Sequence, residues 1–250
     1  MKPKKSLGQN FLQNDTALQR IADALDIKEG DTVVEIGPGH GELTSFLVAK
    51  NPQKLITIEK DENLAGLLRQ EFRNVQVIAG DALKILPEIK LPKNWKLIGN
   101  IPYYITGQLL RITSELSIPP AKTVFLVQRE VAERICATLG KANLLSSVIR
   151  GWATPNYLFT VPKNDFYPKP KVDSAVVSLD RNEYMAEKAY STVVHALFLH
   201  PRKKAINNFS DFFNIPKSEA EKIFNSCNLP SSIRPQNLSS GDIFCISKKL

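Results

Sequence analysis

Apolar residues along this chain fall into two alternating rhythms. "ALQRIADAL" from Ala17 has helical spacing, and "DTVVEIG" from Asp31 is a short apolar run that stops at glycine. The pair then repeats. "ELTSFLVAK" predicts a helix before the strand "KLITIEKD", and "NLAGLLRQEF" a helix before "VQVIAGD". Beyond them come the strand "KLIGN", the helix "TGQLLRITSEL" halted by Pro119 and Pro120, the strand "KTVFLVQ" and the helix "REVAERICATL". This alternation predicts an α/β fold with a mostly parallel sheet covered on both faces. "VDSAVVSL" reads as a further strand, an antiparallel edge. After Arg181 the rhythm turns helical throughout, in "YMAEKAYSTVVHALFL", "RKKAINNFSDFF", "KSEAEKIFNSC" and "SSGDIFCISKK", punctuated by Pro216, Pro230 and Pro235. The expected division is an α/β catalytic domain over 1–180, with a basic N-terminal arm, and a small all-helical domain over 181–250.

Composition narrows the class. The 250 residues are 43% hydrophobic and 23% charged, ordinary for a globular protein, and no apolar run reaches the roughly 18 to 20 residues of a bilayer span. The N-terminus "MKPKKSLGQNFLQND" is basic but has no apolar signal core, so the expected location is cytoplasmic. Cys136, Cys227 and Cys245 are odd in number and far apart, which argues against a disulfide scaffold and for a reducing compartment. With His40, His195 and His200 they form no metal-ligand spacing, so no metal is expected. The net charge of +8 points to a polyanion, nucleic acid before membrane.

The strand ends carry the chemistry. "VVEIGPGHGEL" sets Gly37, Gly39 and Gly41 between a strand and a helix, where the backbone can turn sharply against a ligand. A dinucleotide loop would have a third glycine where Glu42 stands, and a carboxylate at that helix N-terminus repels a pyrophosphate. Glu59 and Asp81 end the next two strands at equal intervals, and Asn100 ends the one after. One such acid is an ordinary solvated group; the series, lining the crevice of an open sheet, points to a ligand. A carboxylate can accept two ribose hydroxyls and another an adenine amine, so a phosphate-free, cationic adenosine fits: S-adenosyl-L-methionine, in a Rossmann-like methyltransferase sheet. "NIPYY" follows. The Asn100 side-chain oxygen and the Ile101 carbonyl, held extended by Pro102, can grip both hydrogens of an exocyclic amine and aim its lone pair at the methyl group. Tyr103 would stack on the base, while Tyr104 packs inward.

With these residues in view, the chain resembles the ribosomal RNA adenine N6,N6-dimethyltransferase family. "SLGQNFL", "EIGPGHGELT", "IEKD", "GDAL", "GNIPYYIT", "VQREVAERI", "FYPKPKVDSAVV", "HPRKKAINN" and "IRPQNLS" match its motifs in order, nearly end to end. The resemblance implies that Asn10 and Leu12 close over S-adenosyl-L-methionine, with Gly37, Glu59, Asp81 and Asn100 completing its site. It implies that Asn100, Ile101, Pro102 and Tyr103 hold the target base and that Phe166 touches it from the other side. The implied substrate is two adjacent adenosines in a loop near the 3′ end of small-subunit rRNA, and the implied partner is the assembling small ribosomal subunit, met by a monomer. One departure stands out: "KANLLSSVIR" has Leu144 and Leu145 where the family usually has Gly and Arg.

Basic clusters support an RNA partner independently. Lys2, Lys4 and Lys5 have no nearby acid, Lys163, Lys169 and Lys171 flank Phe166, and Arg202, Lys203 and Lys204 open a helix of the second domain. An isolated cluster is more often a solubilising face; clusters in both domains beside a base pocket shift the balance. Three rivals stay open. A large-subunit rRNA dimethylase shares "NIPY" and "QNF", but "VQREVAERI" and "HPRKKAINN" favour the small subunit. A binding or assembly factor on a methyltransferase scaffold would not need Asn10, Gly37, Glu59, Asp81 and Asn100 intact. A small-molecule methyltransferase would not need a basic helical appendage.

Overall fold

The computed structural model describes residues 9–183 and 188–250. Lys4 and Lys5, with the start of "SLGQNFL", lie outside the described residues, as do Tyr184 to Glu187 of the first helix expected after Arg181.

A ribbon strand β1 (Phe11–Leu12) precedes α1 (Asp15–Ala24), whose N-cap Asn14 accepts from the Ala17 N–H at 3.0 Å. Then come β2 (Thr32–Ile36), α2 (Glu42–Ala49), β3 (Lys54–Glu59), α3 (Glu62–Glu71), β4 (Gln76–Ala79), α4 (Ala82–Ile85), β5 (Lys96–Asn100) and α5 (Thr106–Glu115). β6 (Lys122–Gln128), α6 (Arg129–Ile135), α7 (Leu144–Arg150), β7 (Ala153–Val161), β8 (Phe166–Tyr167) and β9 (Ser174–Arg181) follow. Seven strands form one sheet in the order β4-β3-β2-β5-β6-β9-β7, parallel from β4 through β6 and antiparallel between β6 and β9. The central strands read as unbroken apolar runs because both faces are covered: all five residues of β2 are buried. β9 is not the edge that its sequence suggests; β7 lies outside it. That strand escapes the pattern because "ATPNYLFTV" is exposed along much of its length.

The chain divides into two compact units. One holds residues up to Ala132 and Asn156–Arg181; the other holds Glu133–Pro155 and Asn182–Leu250. The expected cut at 180 therefore misplaces residues 133–155. They pack with the helical segments: the Tyr190 hydroxyl donates to the Ser147 carbonyl at 3.0 Å, and the Gly140 N–H to the Gln236 carbonyl at 2.8 Å. The Leu144 and Leu145 departure falls here. Asn143 caps α7 by accepting from the Ser146 N–H at 3.2 Å, while its own N–H donates to Ser146 Oγ at 3.0 Å.

The second unit continues with α8 (Lys188–Leu197), α9 (Ala205–Phe213), α10 (Lys217–Ser226) and α11 (Ser240–Ser247), around a core that includes Val194, Phe209 and Phe224. Buried Asn208 gives the "HPRKKAINN" motif a structural task. Its amide NH2 donates to the carbonyls of Leu197 at 2.6 Å and His200 at 2.9 Å, satisfying the end of α8. Arg202, Lys203 and Lys204 are exposed and precede α9 rather than lying within it, with Lys204 at the N-cap. One expectation is overturned. Cys227 and Cys245 are joined in a disulfide, their Cα atoms 5.9 Å apart across a sequence separation of 18. The spacing conceals this, since only the packing of α11 beside the end of α10 brings the two together. Cys136 is free. No helix of the described residues is long and apolar enough to cross a membrane.

Candidate active site

The cleft lies at the C-terminal ends of β2, β3, β4 and β5, where an open parallel sheet leaves room for a ligand. Gly37 and Gly39 turn the chain after β2 with φ of +66° and +64°, conformations that side chains with a Cβ resist. The loop is tight at Gly39, where a Cβ would stand 2.8 Å from the Phe11 ring; at Gly37 a Cβ would reach only ordinary contact with the Asn100 carbonyl oxygen, 3.7 Å away. At the start of α2, Glu42 places its own carboxylate against the N-terminus, accepting from the His40 N–H at 3.1 Å. A phosphate has no place there.

Glu59 ends β3 and is buried. One carboxylate oxygen accepts from the Asp61 N–H at 2.8 Å and the other from the Gly39 N–H at 3.2 Å, so the acid and the glycine loop hold one another in position. Burial raises its pKa, and these backbone bonds oppose the rise. Asp81 sits at the end of β4 and caps α4, accepting from the Leu83 N–H at 3.0 Å. Its second oxygen meets Lys60 Nζ at 2.9 Å, and that ammonium holds its pKa below the usual carboxylate range. Behind the loop lies a third acid. Glu35 is fully enclosed in β2, accepts from Thr44 Oγ1 at 2.7 Å, and is pushed up to about 8 by burial.

Asn100 ends β5. Its amide NH2 donates to the Asn10 carbonyl at 2.9 Å, which leaves Oδ1 as an acceptor for another partner. Ile101 is buried, its N–H donating to the Leu126 carbonyl at 3.2 Å, and Pro102 leads into a tight 3-10 turn over Tyr103–Ile105. Of the two tyrosines, one departs from expectation. The Tyr103 hydroxyl meets Ser174 Oγ at 2.8 Å, with its pKa raised by burial, while Tyr104 is 57% exposed and does not pack inward. In a tight turn the strand rule of alternating faces lapses, and the partner 71 residues away decides.

Of the residues expected around the cofactor and base, Asn10, Gly37, Glu59, Asp81, Asn100, Ile101, Pro102 and Tyr103 line this one cleft. Leu12 and Phe166 do not. They face each other across the β1–β8 ribbon and are buried in the main core, 2% and 4% exposed. Phe11 lines the cleft instead, its ring 4.3 Å from that of His40. Gln9, Lys60 and Tyr104 also line it; they stand within the quoted motifs, but no role in the site is expected of them from the sequence. Position alone could have found Lys60, which directly follows Glu59. Lys169 and Lys171 are exposed on the loop after β8, within the same unit. Arg202, Lys203 and Lys204 belong to the other unit.

The donor set suits an adenosine that carries no phosphate: a buried carboxylate that pairs with no cation among the described residues for hydroxyls, a helix-capping carboxylate for an amine, and a glycine where a Cβ would clash. A largely parallel sheet with this cleft defines an S-adenosyl-L-methionine-dependent methyltransferase. Comparison with known proteins agrees and narrows the class. The chain belongs to the ribosomal RNA adenine dimethylase family, whose profile matches residues 1–248. It is 35% identical to ribosomal RNA small subunit methyltransferase A of Mesoplasma florum, over 98% of this chain and 97% of that one. A dimethyladenosine transferase from Plasmodium falciparum superposes with a TM-score of 0.80 at 25% identity, covering 94% of this chain and 95% of that one. The 23S rRNA methyltransferase ErmE superposes with a TM-score of 0.75 at 22% identity, covering 96% and 99%, a likeness of fold alone.

Proposed function

We propose that the chain dimethylates the N6 atoms of two adjacent adenosines in a loop near the 3′ end of small-subunit rRNA, acting in the cytoplasm on the assembling small ribosomal subunit. The observation that carries this reading is the tethered amide of Asn100 at the mouth of a phosphate-free nucleoside cleft. The relatives at about 35% identity bear the small-subunit name, and a substrate of that kind is a polyanion suited to a chain of net charge +8.

Asn10, Gly37, Glu59, Asp81 and Asn100 would hold the cofactor, which supplies an electrophilic methyl group on a sulfonium. The protein's part is positioning. An adenine N6 is a weak nucleophile because its lone pair is delocalised into the ring. Asn100 Oδ1 and the Ile101 carbonyl accept its two hydrogens and hold the nitrogen closer to tetrahedral. Tyr103, steadied by Ser174, stacks on the extruded base, an interaction worth about 1–3 kcal/mol, comparable to the cost of unstacking it. A neutral amide is sufficient because a methylated aminium is acidic enough to lose its proton to water. Lys169 and Lys171, and on the helical unit Arg202, Lys203 and Lys204, would meet phosphates.

Incubating the protein with labelled cofactor and unmethylated small or large subunits, then mapping the label, tests the reading. Two adjacent adenosines of the small subunit are expected to carry it, and label on the large subunit would reject the assignment. Asn100→Ala is expected to lower kcat by about 10²- to 10³-fold. Binding of S-adenosylhomocysteine by that variant should weaken far less than kcat falls, since Gly37, Glu59 and Asp81 remain to hold it.

A further inference from the structure

The β1–β8 ribbon sorts four side chains by face. Residues directly opposite in an antiparallel pair project to the same side, and successive residues to opposite sides. Leu12 pairs with Phe166, and both are in the core; Phe11 pairs with Tyr167, on the other side. On that second side Phe11 lines the cleft, whereas Tyr167 is 59% exposed. An aromatic ring left this open stands beside a wall of the cleft. It also begins a loop, "YPKPK", in which Lys169 and Lys171 are exposed and Pro168 and Pro170 fix two φ angles.

We propose that Tyr167 is a stacking platform for an unpaired purine of the RNA strand next to the target adenosine. The inference rests on the RNA-methylating reading above and adds to it a residue that the motif does not single out. Phe166, the motif's aromatic, cannot present its face to a base without leaving the core in which it is enclosed. Tyr167 can, because its face is already open. Interleaved lysines supply the complement: bases stack on a ring regardless of sequence, while adjacent ammonium groups neutralise the phosphates that link them. The two prolines hold the ring and the charges in one arrangement before RNA arrives, so little ordering remains to oppose binding.

The experiment uses the full chain, unmethylated small subunits, and an RNA hairpin whose loop carries two adjacent adenosines with 2-aminopurine beside them. Tyr167→Leu is expected to weaken hairpin binding by about 5- to 100-fold, the range that ring–base stacking supports. It should also raise KM for the subunit more than it lowers kcat. Tyr167→Phe keeps the ring and is expected to match wild type. Wild type and Tyr167→Phe should quench the 2-aminopurine, and Tyr167→Leu should not. S-adenosylhomocysteine binding and thermal stability should be the same in all three, separating a platform from a structural role. Wild-type affinity and quenching in Tyr167→Leu would overturn the platform alone. Failure of the wild-type chain to bind the hairpin or methylate the subunit would overturn the RNA-methylating reading with it.

Discussion

Asn100 shows how a single side chain joins two distant stretches of the chain. Its NH2 bond to the Asn10 carbonyl explains why an amide stands there rather than an acid: a carboxylate would face that carbonyl with no hydrogen to offer. Its place at the strand end beside the cleft is legible in the sequence; its orientation is not, because the partner lies 90 positions away. The same limit governs Tyr103 and Tyr104, whose roles separate only when Ser174 is brought alongside. Glu35 is silent in the sequence, since nothing local marks a strand glutamate as buried. Its raised pKa has a consequence for stability. A carboxyl that folding shifts from its ordinary value to about 8 stabilises the fold fully below the unfolded pKa, and that contribution is lost as pH rises through the folded one. Glu35→Gln keeps an acceptor for Thr44 and removes the titration. Melting curves of both proteins from pH 5 to 8 are expected to converge at the acid end and to favour the variant increasingly toward pH 8.

At the scale of elements, the strands and helices of the sheet are readable because burial on both faces makes each strand a solid apolar run. Two-residue strands offer no such period. β1 and β8 are invisible in the sequence, and with them the distinction between Phe11 and Leu12, or Phe166 and Tyr167. Motif membership could not supply it, because a motif names positions without saying which way they face. The glycine loop is the opposite case: its spacing announces the turn, and the structure adds what the turn must clear. Gly39→Ala combines a positive φ with a Cβ 2.8 Å from the Phe11 ring. It is expected to cost about 1–2 kcal/mol in denaturant melts and to weaken S-adenosylhomocysteine binding in calorimetry. Unchanged affinity would mean that the loop relaxes without disturbing the cleft.

For the whole molecule, sequence rhythm locates the change from α/β to all-helical organisation but not its true membership. Residues 133–155 join the second unit through bonds to segments far along the chain, which no local pattern encodes. The Cys227–Cys245 disulfide is hidden from the sequence for the same reason. Charge distribution is legible only as a total, and its placement on both units is what makes an extended RNA footprint testable. Arg202→Glu with Lys203→Glu is expected to weaken binding to unmethylated small subunits. The slope of log affinity against log salt should become shallower by about 0.7 to 0.9 for each phosphate that the variant no longer neutralises. An unchanged slope would assign those residues to solubility.

The two-strand ribbon also sets an order of events during synthesis. Phe11 is paired with Tyr167, the Gln13 N–H donates to the Asp165 carbonyl at 2.8 Å, and Asn14 Nδ2 donates to Asp165 Oδ2 at 2.8 Å. The stretch that supplies one wall of the cleft can meet His40 and Asn100 earlier, but it lacks its strand partner until the ribosome has made some 150 further residues. A nascent chain can assemble β2 to β6 earlier, but the wall that carries Phe11 stays unpinned along its strand edge until Phe166 and Tyr167 emerge from the exit tunnel.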